Sequence, residues 1–167
     1  MTASALPPVE RPISSLITAA QNKLPEIAAF FCVQPVETAA DKLSALAWRV
    51  HARQRGGDDD DPTIIRHLHD LAALRGSVST AGDFHSLALK AAADDAGRGG
   101  SPTTGVKPEV LFAGMLERLA ADPLWAREYR DYVQQVSYAE IDQLIGFDQA
   151  LAAVRDLVAL ILDGGGA

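Results

Sequence analysis

The apolar residues of this chain change their spacing once, and early. Ile27–Val33 (IAAFFCV) is a continuous apolar run of strand length closed off by Pro25 and Pro35, and everything after it is spaced for helices. A short run rich in Phe and Val reads as a buried strand, and a strand needs partners for its backbone donors and acceptors. The rest of the sequence offers at most one further weak strand candidate. The expected fold is therefore mainly α, a helical bundle of about five to six helices. Its one or two short N-terminal strands look like part of a sheet whose remainder is missing.

Proline and glycine set the expected boundaries. Pro7, Pro8, Pro12, Pro25 and Pro35 fall in the first 35 residues, and no glycine precedes Gly56. Residues 1–35 thus read as a stiff, extended lead with a short helix around Ile13–Lys23 and the strand. Residues 36–163 read as the bundle, and 164–167 as a flexible tail. Leu43, Leu46, Ala47 and Val50 stripe one side of a helix over Val36–Arg55. Asp61-Pro62 and Asp122-Pro123 each place an N-cap before a first-turn proline. The first of these opens a second helix, with Gly76 placed to cap its end. Further helices are expected over Ala81–Ala96, Pro108–Ala121 and Phe147–Asp163, with Gly97–Lys107 as the most linker-like stretch.

With 15 Lys and Arg against 22 Asp and Glu, the chain carries a net charge of −7, which rules out a basic field over the whole molecule. Any anion site must therefore be local. From Lys42 to Arg55 there are four Lys or Arg side chains and no acidic one. Lys42, Arg49 and Arg53 fall within about 40° of one another on a helix, beside the leucine stripe. Such a stripe either binds anions or is a solvated flank whose stems cover apolar surface. On the second helix, Arg66, His67 and Asp70 share a polar face. Their spacing predicts an Arg66–Asp70 ion pair and an imidazole oriented by Asp70.

Other motifs fail on chemistry. Gly100–Lys107 has its lysine one place late for a phosphate-binding loop and no preceding strand. His51, His67, His69 and His85 lack metal spacing, and the lone Cys32 excludes both an internal disulfide and a Cys-based zinc site. The run Asp58–Asp61 reads as a solvated loop. Residues 1–12 include Glu10 and Arg11 and no apolar core of a secretory signal. The apolar run Leu157–Leu162 is far short of a membrane span. The expected setting is cytoplasmic.

Glu37 through Arg49 (ETAADKLSALAWR) resembles the E-x-x-x-x-K-L-x-A-L-x-x-R signature of AbiEii/AbiGii nucleotidyl transferase toxins. Arg66–Leu74 (RHLHDLAAL) resembles their second downstream motif, and Asp122–Tyr132 and Phe147–Leu157 are similar to their later helices. The resemblance runs from about Pro8 to Leu162, the C-terminal two thirds of the family pattern. It implies Lys42 and Asp70 as catalytic residues, and Lys42, Arg49, Arg66 and His67 as nucleotide- and phosphate-binding residues; the basic stripe adds Arg53 to the phosphate-binding set. It also implies a nucleoside triphosphate with Mg²⁺, an RNA (tRNA) substrate and a cognate antitoxin. The family's metal-binding head carries a G-S/T loop followed by an Asp-x-Asp pair, and that combination is not found here, since the Asp58–Asp61 run follows a helix and no such loop. Gly76-Ser77 leads only to Asp83-Phe84-His85. Many members also have an acidic residue where His67 stands. The first reading is a truncated or split member of this family, partnered by its antitoxin or by an upstream head-domain chain. The second is a non-catalytic helical module binding RNA or an antitoxin, and the third a helical scaffold. Self-association through the strand edge is expected in each case.

Overall fold

The structure, a computed structural model, describes residues 4–58, 60–97, 103–136 and 144–164. Two strands, β1 (Val9–Ile13) and β2 (Ile27–Cys32), pair antiparallel at the N-terminus. The register shifts between Arg11 and Ile13, around Pro12, which has no N–H to give the ladder. The connection carries a short helix, α1 (Leu16–Ala20), capped by the Ser15 side chain accepting from the Thr18 N–H. Glu26 ties the cap together by accepting from the Ser15 and Thr18 hydroxyls.

The expectation of a buried strand is corrected. Phe30 is 51% exposed and Phe31 70%. A two-stranded ribbon has two faces to cover, and among the described residues no helix packs broadly on either.

The bundle follows the expected order. Helix α2 (Pro35–Ala52) starts on Pro35 and buries Val36, Ala39, Ala40, Leu43, Leu46, Ala47 and Val50. It stops three residues short of Arg55, because the backbone turns extended at Arg53 and then through Gly56 at φ +76°. Asp61 caps as expected, accepting from the Thr63 N–H, but the first turn is a 3-10 turn (Pro62–Ile65) leading into α3 (Arg66–Val78). Gly76 is not the cap assigned to it and lies within the last turn of α3. Helix α4 (Phe84–Ala96) begins three residues later than expected, after the turn at Ala81. Then come α5 (Pro108–Ala121), α6 (Leu124–Val136) and α7 (Phe147–Asp163), with Asp122 accepting from the Leu124 N–H at the start of α6. Residues 98–102 of the linker-like stretch, Asp59 of the acidic run and residues 165–167 of the expected tail lie outside the described residues.

Helix α2 is the centre of the bundle. It packs against α3, α4 and α5, while α7 closes the far side against α3 and α5. Leu43, Leu46, Leu68, Leu71, Phe112, Met115, Leu157 and Ile161 share one core. Because α2 and α3 are neighbours, the polar borders of their facing sides come together. Among the described residues no helix is long and apolar enough to cross a membrane.

Candidate functional site

The two motif helices meet at a direct ion pair. The Lys42 ammonium of α2 donates to Asp70 Oδ2 of α3 at 2.6 Å, with both side chains about a third exposed (28% and 32%). The predicted Arg66–Asp70 pair does not form. Arg66 Nη1 instead donates to Thr63 Oγ1 at 3.0 Å, one turn back, which leaves Asp70 to the helix opposite. Arg49 reaches Asp61 Oδ2 at 3.5 Å, near the limit of an ion pair. Asp61 is held below the usual carboxylate range chiefly by the Thr63 hydroxyl, with weaker help from Arg66 and Arg49.

Arg53 is placed differently from the other stripe residues. Its side chain is only 5% exposed, and its guanidinium donates to Asp60 at 2.7 Å and to both oxygens of Glu128 at 2.6 and 3.0 Å. It also lies 4.8 Å from the centre of the Trp125 ring. Arg55 stacks on the same ring at 4.4 Å and donates to Glu128 and Asp122. This forked bonding with ring stacking fixes α6 to the end of α2. The acidic run is correspondingly not a plain solvated loop: Asp60 and Asp61 are engaged by Arg53 and Arg49.

His67 lies beside the Lys42–Asp70 pair and is 8% exposed. Neither ring nitrogen has a hydrogen-bond partner, so Asp70 does not orient the imidazole as the spacing predicted. An unmade hydrogen bond of this kind costs about 1–3 kcal/mol. Burial first, then Lys42, Arg66 and Arg49, pushes the ring down to about 4, and Asp70 only partly offsets them. The imidazole is therefore neutral at neutral pH.

Two residues join the cluster that spacing did not single out. His69 Nδ1 lies 3.9 Å from Asp70 Oδ1, and its ring meets Tyr132 of α6 edge-on at 6.3 Å. Burial and the Asp70 charge raise the Tyr132 phenol above its usual range, with Arg66 opposing, so the hydroxyl stays protonated. The only hint in the sequence was Tyr132 lying three residues after Tyr129, on the border of the buried face of α6.

The cluster thus brings together Lys42, Arg49, Arg66, His67 and Asp70 and leaves Arg53 in a separate network. Three cations and a neutral imidazole at one helix junction suit an anion. Mg²⁺ is not suited in the same way: among the described residues no three His, Cys, Asp or Glu side chains come together to hold a metal ion. A cleft of about 380 Å³ between α2 and α4 takes in Arg49 and Trp48 but neither Lys42 nor Asp70. Its lining carries Glu37, Asp41, Asp94 and Asp95 against Arg49 and Lys90, an acidic balance that disfavours a phosphate there.

Fold and site together define a helical bundle whose signature helices are joined, residue to residue, by an ion pair. A family model described as "Nucleotidyl transferase AbiEii toxin, Type IV TA system" matches residues 2–153 of the chain. The chain belongs to the AbiEii nucleotidyl transferase toxin family. No curated protein and no solved structure matches it significantly.

Proposed function

We propose that this chain is the phosphate-binding helical part of an AbiEii-type nucleotidyl transferase toxin. Lys42 and Arg49 contact the phosphates of a nucleoside triphosphate, Arg66 and His67 flank them, and Asp70 is the acidic partner of Lys42. The observation that carries this reading is the Lys42–Asp70 bond, which joins two family motifs 28 residues apart. In the resting state Asp70 and Asp61 serve as counter-ions, and an incoming triphosphate takes their place on Lys42 and Arg49. Among the described residues no three His, Cys, Asp or Glu side chains come together to hold a metal ion, and the loop with its Asp-x-Asp pair is missing from the sequence. On this reading the metal-carrying head therefore belongs to a separate segment or chain. The partners that follow are that head, an RNA acceptor such as tRNA, and a cognate antitoxin.

Calorimetric titration with a nucleoside triphosphate tests the site. Lys42→Ala should weaken binding by roughly tenfold or more, a loss of about 1.4 kcal/mol. Lys42 lies on the rim of the core, so the melting curve should barely move. Added salt should weaken binding by the wild-type chain. Equal binding by wild type and Lys42→Ala, or none by either, would make Lys42 and Arg49 a solvated flank. The chain alone should also label no RNA when incubated with labelled triphosphates, Mg²⁺ and total tRNA. Robust labelling would overturn the need for a separate head.

A second reading, a module that docks a protein partner, is favoured by one observation. Phe30 and Phe31 of the hairpin are exposed apolar side chains, a surface of the kind that receives a protein partner such as an antitoxin.

A further inference from the structure

We propose that His67 is the proton-coupled member of this cluster: a bound polyphosphate is met by an imidazolium that donates a ring N–H to a phosphate oxygen, the proton being taken from solvent as the ligand binds. The inference rests on the phosphate reading above and adds a linkage between binding and pH.

The geometry starts from an unfilled need. Buried polar side chains are nearly always hydrogen-bonded, yet both His67 nitrogens are without a partner in a residue only 8% exposed. The groups that act on the ring are Lys42 and Arg49 from α2, and Arg66 and Asp70 from its own helix. The 3-10 turn Pro62–Ile65 brings no titratable side chain of its own, while its N-cap Asp61 acts on the ring's neighbours Arg49 and Arg66. Helix α6 brings Tyr132 towards Asp70 and Arg66, and α7 pairs with α3 through Asp156 and Arg75, two turns beyond His67. The ring thus faces three cations against one carboxylate, and that carboxylate is already bonded to Lys42. This excess, with burial, keeps the empty site's imidazole neutral.

A polyphosphate changes both conditions together. Its negative charge cancels the field of Lys42, Arg49 and Arg66, and its oxygens supply the acceptor that the ring lacks. A neutral ligand could offer an acceptor but would leave that field in place. Proton uptake therefore follows from polyanion binding, and binding should tighten as pH falls.

Calorimetry of the full chain with inorganic tripolyphosphate, near pH 6.5 in buffers of different ionisation enthalpy, counts the protons exchanged. The terminal phosphate also titrates in this range, so the same titration with His67→Gln isolates the imidazole. Wild type should take up more protons than His67→Gln, by a fraction approaching one per site. Its affinity should also rise more steeply on acidification, by at most about tenfold per pH unit. NMR of the wild-type His67 ring, at fixed pH, gives an independent reading should the variant fold poorly: tripolyphosphate should move the ring signal towards the imidazolium position. Equal proton counts, or a ring signal unmoved in the saturated complex, would overturn the linkage. If Lys42→Ala still abolished binding, the phosphate reading would survive that result. Failure of the wild-type chain to bind tripolyphosphate would overturn both.

Discussion

Arg53 lies one turn beyond Arg49 on the same side of the first motif helix, yet their surroundings differ. Arg49 is a third exposed, with a long contact to Asp61 and its guanidinium 5.3 Å from the centre of the neighbouring Trp48 ring, whereas Arg53 is buried under Trp125 with its guanidinium bonded to two carboxylates. Removing one member of a buried pair strands its partner, at a typical cost of about 3–5 kcal/mol. Arg53→Ala is therefore expected to cost about 3 kcal/mol in urea denaturation. Arg49→Ala should cost no more than about 1 kcal/mol, as for exposed pairs. His67 makes a second residue-scale test, through pH. Its folded pKa of about 4 lies below the ordinary 6.5, so between these values the unfolded chain binds more protons than the folded one. Stability from this group is thus present above about pH 6.5 and is lost as pH falls towards 4. The upper bound of that loss is about 3 kcal/mol. Comparing urea midpoints of wild type and His67→Gln across this window should show the variant falling less steeply; parallel falls would remove His67 from the acid response.

Among the elements, the crossing of α2 and α5 is set by a missing side chain. A Cβ at Gly114 would lie 2.9 Å from His51 Cε1, and the His51 ring is itself placed by a contact between Nε2 and the Leu111 carbonyl oxygen at 3.1 Å. Gly114→Ala must push the helices apart or tilt the ring, so it is expected to lower stability by about 1–3 kcal/mol despite its better helix propensity. A rise in melting temperature would show that the ring gives way freely. The same elements show what could be read from residues alone. The leucine stripe of α2, the caps at Asp61 and Asp122, and the order of the bundle follow from spacing within one helix, which sequence displays directly. The partners of the charged residues do not. Asp70 could satisfy Arg66 on its own helix or Lys42 on the next, and only packing decides. Arg53 looked equivalent to Arg49 because helical angle carries no information about Trp125 and Glu128, which arrive some seventy residues later. The strand was legible as a strand, but its exposure was not, since burial depends on what lies against it.

Over the whole molecule, the surface divides between a closed bundle and an open ribbon. Strand β1 is guarded at Pro12, while Ile27–Cys32 of β2 contains no proline and presents a free edge with two exposed phenylalanines. Unguarded apolar edges recruit further strands, so light scattering at tens of micromolar should show association. Placing charge on the ribbon with Phe30→Lys and Phe31→Lys together should reduce it without changing the helical melting transition; a wild-type chain that stays monodisperse would count against this. The base of the ribbon is closed twice. The Gln34 amide donates to the Pro7 carbonyl at 2.8 Å, and the Glu37 carboxylate accepts from the Ser4 hydroxyl and from the Ala5 and Leu6 N–H groups. Burial raises the affinity of Glu37 for a proton, but these donors outweigh it and keep the group ionised. The segment that precedes the ribbon and the start of α2 that follows it therefore meet at one spot. Modularity is the consequence: a chain bridged by a few glycines in place of residues 8–33 would keep both clasps and every core contact of the helices. The ribbon can thus be exchanged or re-sequenced while the family-motif helices go on folding unaware of it.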